Sequence, residues 1–252
     1  MNKWWRKRAA VLAVAVCVVL LSACSREYPT ELMNAAKDGN LAAVQSAVGR
    51  GAKVGEHSNK GKRALMFAAS EGHRDVAQWL IDQGADVNVA DNYGTTALIV
   101  AATAGHHEVV KLLLGHGANI QVRDDSGGAP LVNSVYFGHT ETVQFLLDAL
   151  SKNDAAHLEK RDGEELLMLA SGLGHVEIVR LMVKSGIDAN GRGLKRRTPL
   201  MAAAAFGRLE VAKVLLAHGA DPQARDEDGN TALVVAQDKG SDRVIALLTE
   251  SR

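Results

Sequence analysis

The chain repeats itself at a fixed interval. Leu32, Leu65, Leu98 and Leu131 stand 33 residues apart, and Leu167, Leu200 and Leu233 resume that step after one interval of 36. A glycine follows each leucine by seven residues: Gly39, Gly72, Gly105, Gly138, Gly174, Gly207 and Gly240. A second glycine sits twelve residues beyond most of these, at Gly51, Gly84, Gly117, Gly186 and Gly219. Seven units in one register, from about Thr30 to the C-terminus, restrict the fold to an array of small like elements. Within a unit, Val109, Leu112 and Leu113 have the i, i+3, i+4 spacing of a helix with one apolar stripe. One unit cannot bury such a stripe alone, so neighbours must stack and share a continuous core. Aromatic residues are only 4% of the chain. That composition suits helices joined by short turns better than a β-sandwich.

Asp91-Asn92-Tyr93-Gly94-Thr95-Thr96-Ala97-Leu98 reads as a turn running into a helix, Gly105 to Leu114 as a second helix, and Gly117-Ala118-Asn119 as its end. Thr198-Pro199-Leu200 and Gly219-Ala220-Asp221 repeat that wording later. This text resembles the ankyrin repeat. The resemblance implies an all-α solenoid of about seven helix–turn–helix repeats with short β-hairpin-like turns, filling residues 30–252. Each element has a physical reason. Threonine at the turn exit caps the first helix, and proline fits its first turn. Glycine in the link between the helices, and again after the second helix, permits the positive φ that stops a helix.

The departures from the family pattern are specific. Its T-P-L-H motif never keeps the histidine; Met33, Met66, Ile99, Val132, Met168, Met201 and Val234 stand there, which predicts apolar packing in its place. The step of 36 marks an insertion of three residues around 150–157, with Leu150 where a glycine is expected. The second helix of the fourth unit should therefore run on by about one turn. Gly191-Arg192-Gly193-Leu194-Lys195-Arg196-Arg197 replaces the Asp-x-x-Gly hairpin in the sixth unit. Trp79, in the register of Leu112, is expected in the core.

The N-terminus carries a different message. Lys3, Arg6, Lys7 and Arg8 precede 13 apolar residues from Ala9 to Leu21, and Leu21-Ser22-Ala23-Cys24 closes the run. A basic start, a short apolar stretch and small residues form a secretion signal. The stretch is too short to span about 30 Å of hydrocarbon. The final cysteine makes the segment resemble a bacterial lipobox. That implies a signal peptide over 1–23, lipid on Cys24, and a short tether over 24–29. Ser25, rather than aspartate, after Cys24 favours the periplasmic face of the outer membrane under the sorting rule of such lipoproteins. Cys17 leaves with the signal, so the mature chain has no thiol for a disulfide or a nucleophile. The whole chain has 29 basic and 29 acidic residues, and removal of the signal leaves 25 against 29. That mild acidity does not suit a nucleic-acid binder.

No residue pattern points to catalysis, a cofactor or a small-molecule substrate. His73, His106, His139 and His175 each follow an inter-helix glycine, so their spacing is that of the repeat rather than of a metal site. The expected function is binding of another protein. The resemblance implies that the hairpin tips and the concave face of the first helices do the binding. The residue pairs before the inter-helix glycines run Lys37-Asp38, Ser70-Glu71, Thr103-Ala104, Tyr136-Phe137, Gly172-Leu173, Ala205-Phe206 and Asp238-Lys239. The candidate partner-binding residues are therefore Tyr93, Tyr136, Phe137, Leu173 and Phe206, rimmed by Lys195, Arg196 and Arg197. Aromatic anchors beside basic residues are characteristic of interface hot spots. The alternative, that Phe137 and Phe206 pack beneath the hairpins, stays open at this stage. So do two roles: a periplasmic scaffold or stress-protective binding protein, and an immunity-type inhibitor of a periplasm-acting toxin.

Overall fold

The computed structural model describes residues 29–152 and 158–250. The signal peptide, Cys24, most of the tether and the middle of the insertion lie outside them. Among the described residues there are fourteen α-helices and no strand. They are α1 (Glu31–Lys37), α2 (Leu41–Gly49), α3 (Ala64–Glu71), α4 (Arg74–Asp82), α5 (Ala97–Ala104), α6 (His107–Gly115), α7 (Pro130–Phe137), α8 (Thr140–Ser151), α9 (Lys160–Leu173), α10 (Val176–Lys184), α11 (Pro199–Ala205), α12 (Leu209–Ala217), α13 (Ala232–Lys239) and α14 (Asp242–Glu250). Odd-numbered helices open a repeat and even-numbered helices close it. The chain divides into two compact units, one ending at Asn133 and one beginning at Ser134.

The first unit follows the repeat rule closely. Thr30 and Thr96 precede α1 and α5, and their hydroxyls accept from Met33 N (3.3 Å) and Ile99 N (3.4 Å). Such caps satisfy donors that the first helical turn leaves open. The α5 text, ALIVAATA, is apolar almost all round, because α5 packs on α3 as well as on its own partner α6. Leu98, Ala101 and Ala102 are buried there, and Val110 and Leu113 are buried on α6. The second helices α2, α4 and α6 each have nine residues and form a second layer, α4 lying between the other two. Trp79 corrects the expectation from sequence. It is half-buried, while Leu80 beside it is fully buried and fills the core position.

The second unit keeps the two layers but changes their lengths. The α8 helix has 12 residues, against nine in the other second helices, which is the extension predicted from the missing glycine. Leu150 is buried near its end. The sequence did not suggest the start of α9. This helix has 14 residues and begins at Lys160, where other repeats fold their hairpin tip. Lys160 occupies the place of the turn-forming aspartate and Glu165 that of the capping threonine. Neither an Asx turn nor a cap therefore interrupts the helix. Lys160 and Arg161 instead pair along it with Glu164 (3.7 Å) and Glu165 (3.5 Å). Gly163 faces the side chains of Ile187 and Leu158, which would lie at contact distance, 3.4 Å, from an added Cβ.

The lost T-P-L-H histidine is replaced largely as expected. Met33, Met66, Ile99 and Met201 are buried, and the sulfurs of Met33 and Met201 also accept from Thr30 N and Thr198 N at 3.5 Å. Val234, in the last repeat, is exposed.

Candidate functional site

The site is framed by contacts that recur from repeat to repeat. In the tips, one aspartate oxygen accepts two backbone N–H groups. Asp91 Oδ1 takes Tyr93 N and Thr95 N, both at 2.9 Å. Asp124 and Asp226 do the same with Ser126 and Gly128, and with Asp228 and Asn230. Successive tips are also joined: Asn92 N donates to Lys60 O and Asp125 N to Tyr93 O, each at 3.0 Å. The turn acids are structural, as their spacing suggested.

The histidine series has a structural role as well. Nε2 of His73, His106 and His175 donates to the carbonyls of Lys37 (2.9 Å), Ser70 (2.9 Å) and Tyr136 (3.1 Å). Each ring thus closes the end of the first helix in the preceding repeat. Arg208 takes over in the sixth repeat, its Nε donating to Gly172 O at 3.0 Å. The inter-helix glycine must stay small for this reason, beyond its backbone conformation. Gly72 has φ +78°, and a Cβ there would lie 2.5 Å from Nδ1 of His106. Sequence reading found the glycine and the histidine but missed that Gly39, Gly72 and Gly138 seat the next repeat's ring. Among the described residues, no group of three or more His, Cys, Asp or Glu side chains could hold a metal ion.

These contacts fix what is left at the surface. The residue before the inter-helix glycine is exposed in every repeat except the fifth, where Leu173 is half-buried. Phe137 and Phe206 occupy that position and expose 39% and 46% of their surface. They do not pack beneath the hairpins. The Phe137 ring stands edge-on to Tyr136, with centroids 5.1 Å apart, and stacks with His139 at 6.1 Å. Tyr136 itself is half-buried. Tyr136, Phe137, Leu173, Phe206 and the three basic residues all belong to the second unit. Tyr93, 40% exposed, belongs to the first unit, where its carbonyl joins two tips. Leu194, 39% exposed, is an apolar surface residue that sequence reading passed over.

Lys195, Arg196 and Arg197 are not three free charges. Arg197 Nε lies 3.7 Å from Oδ2 of Asp226, whose side chain is wholly buried, and Lys195 Nζ lies 4.0 Å from Asp228. Both acids sit one repeat later, in the seventh tip. Arg196 is exposed and, among the described residues, makes no ion pair. Its backbone is unusual: φ is +53°, and that of Lys195 is +58°, the two positive values at non-glycine residues among those described. The matching place in the other hairpin tips is Gly61, Gly94, Gly127 or Gly229. A side chain in this left-handed region costs roughly 1–2 kcal/mol per residue. Surrounding bonds hold it there. Gly193 N donates to Arg197 O and Glu227 N to Lys195 O, each at 3.0 Å. Arg192 Nη1 donates to Arg196 O (3.2 Å) and Arg225 O (2.8 Å).

Comparison with known proteins agrees with this architecture. A family model for ankyrin repeats (three copies) matches residues 32–124, 131–226 and 189–252. The structure is similar to the human ASB11 ankyrin repeat domain, with a TM-score of 0.75 and 27% identity over 87% of this chain and 98% of that one. It is also similar to the ankyrin repeat domain of Bcl-3, described as a unique member of the IkappaB protein family. There the TM-score is 0.70 and the identity 25%, over 89% of this chain and 100% of that one. No curated protein matches the sequence. The chain belongs to the ankyrin-repeat family.

Proposed function

We propose that this chain is a protein-binding module tethered by lipid on Cys24 to an envelope membrane, facing the periplasm, where it acts as a scaffold or stress-protective binding protein. Ankyrin repeats are protein–protein interaction modules. The observation that carries the binding site is the exposure of Phe137 and Phe206 at one register position, where neighbouring repeats place Asp38, Glu71, Ala104 and Lys239. Rings left in water are costly unless a partner covers them, and aromatic residues concentrate in interface cores. The anchor rests on the lipobox-like text. Among the described residues, no helix is long and apolar enough to cross a membrane. More than one acyl chain is needed for stable anchoring.

The two halves are tested separately. Cells fed labelled palmitate should label the wild-type chain, and Cys24→Ser should abolish both the label and signal removal. A processed, unlabelled and soluble Cys24→Ser chain would sink the anchor. For the site, the tagged full chain is purified in detergent with whatever protein it holds, beside a Phe137→Ala/Phe206→Ala variant. The variant should lose the bound protein while keeping its helical circular dichroism. Undiminished recovery would move the site elsewhere. A partner that is itself an envelope toxin would replace the scaffold role with the inhibitor role.

A further inference from the structure

We infer that Asn190 is a site of self-modification. Its carboxamide is converted to a carboxylate by the backbone nitrogen of Gly191 when the seam between the sixth and seventh tips opens, and the product leaves that seam loose. The inference goes beyond the binding role proposed above and does not depend on it.

The first ground is the pair Asn190-Gly191 and the reason it exists. Asn190 is the one asparagine of the chain that is followed by glycine. A nitrogen with no Cβ beside it is free to turn onto the preceding side chain. The matching residues in other repeats are Val89, Val122 and Ala224. Gly191 differs from them for a packing reason. The added turn of α9 brings Glu164 against it, and a Cβ at 191 would run into Cγ of Glu164 and lie 2.9 Å from its Cβ. Glu164 Oε2 also accepts from Arg192 N at 3.3 Å. The early start of α9 thus imposes a glycine behind this asparagine.

The second ground is what Asn190 holds. Its Nδ2 donates to Gly219 O at 2.8 Å, and its Oδ1 accepts from Asp221 N at 2.7 Å. Asn88 makes the same two bonds in the first unit, to Gly117 O at 3.0 Å and from Asn119 N at 2.8 Å, but Val89 follows it. In the closed seam Gly191 N is itself engaged by Asp188 O at 2.9 Å. Attack therefore needs three bonds released together. All three lie at the surface, where Asp188, Gly219 and Asp221 are exposed. Hydrogen bonds that water reaches belong to the part of a structure that opens most easily.

The step needs no reactant but water. The Gly191 nitrogen forms a bond to Cγ of Asn190, the Cγ–Nδ2 bond breaks, and ammonia leaves with the proton from that nitrogen. Water then opens the cyclic imide at one of its two carbonyls, giving aspartate or isoaspartate. An ionised carboxylate only accepts hydrogen bonds, so Gly219 O loses its donor. The new charge also joins the carboxylate of Asp188, whose Oδ1 accepts from Asn190 N at 2.8 Å. Like charges so close disfavour the closed seam.

The test follows the full chain in detergent through long incubation in mildly alkaline buffer, with and without urea. Peptide mass mapping reads amide-to-acid conversion at each asparagine, and isoaspartyl methyltransferase labels the isomer. Asn190 should convert first and yield isoaspartate, while Asn88 stays an amide. Urea should speed conversion at Asn190 about tenfold or more, because the folded chain reacts only while open. Asn190→Gln lengthens the ring that attack must close and should not convert. In chains aged to partial conversion, and in Asn190→Asp, hydrogen exchange at the Asp221 amide should quicken about tenfold. An Asn190 amide that persists, or equal conversion at Asn88, would overturn the site. Equal rates with and without urea would overturn the gate. Unchanged exchange at Asp221 in the aged chain would overturn the loosening.

Discussion

The tip of the third repeat and the tip of the sixth close with the same backbone bond, Asp91 N to Thr95 O and Gly193 N to Arg197 O, from opposite materials. At Asp91–Thr95 an aspartate gathers two N–H groups and Gly94 takes a φ of +73° without a side chain to object. At Gly193–Arg197 there is no such aspartate, and two long cationic residues occupy the left-handed region. The turn survives because bonds from Arg192 and Glu227 replace what the sequence withholds. The first is framework that any repeat could share. The second is a framework position given over to a surface. The same contrast separates the first-helix ends, which are charged, polar or small in the first unit and aromatic or apolar at Phe137, Leu173 and Phe206 in the second.

This contrast can be broken at several strengths. Core truncation should be the largest effect and indifferent to the contrast. Leu113→Ala in the first unit and Leu167→Ala in the second, both fully buried, should each cost about 2–5 kcal/mol by urea unfolding. A much smaller loss at Leu167 would mean that the departures extend into the core. Next comes the regular tip itself. Gly94→Ala must hold a Cβ at positive φ, 3.0 Å from Oδ1 of Asp125, and should cost about 1–2 kcal/mol. The seams between repeats come third. His106→Ala and Arg208→Ala each remove one bond to a preceding carbonyl and should cost about 1 kcal/mol apiece. Arg196→Gly is smallest and opposite in sign. Relief of strain, less the added freedom of a glycine in the unfolded chain, should stabilise by about 0.5–1 kcal/mol. Differential scanning calorimetry of Gly94→Ala and Arg196→Gly side by side would show whether the two tips differ as described.

Much of this was legible in the sequence because the repeat writes each local rule several times. The leucine and glycine register, the threonine caps and the added turn of α8 follow from residues within one repeat. What escaped lies between repeats. The histidines were placed correctly, but their bonds reach carbonyls 36 to 39 residues earlier. The ion pairs of the basic tip have no local signal, because their acids, Asp226 and Asp228, belong to the next hairpin. The early start of α9 had a local signal, since Lys160 and Glu165 stand where aspartate and threonine belong. A leucine register alone does not weigh those two positions. Phe137 and Phe206 could be placed on a helix end, but their exposure depends on what the adjacent repeat leaves uncovered.

The most direct test asks where along the repeats the partner sits. A photo-crosslinking amino acid is placed, one site at a time, at Asp38, Glu71, Ala104, Phe137, Leu173, Phe206 and Lys239 in cells making the full chain. All seven share one register, so the experiment compares repeats and nothing else. Crosslinks to a common protein should form from 137, 173 and 206, and should be weak or missing from 38, 71 and 239. Equal crosslinking from all seven, or crosslinks confined to 38 and 71, would contradict the claim that binding resides in the repeats that depart from the rule.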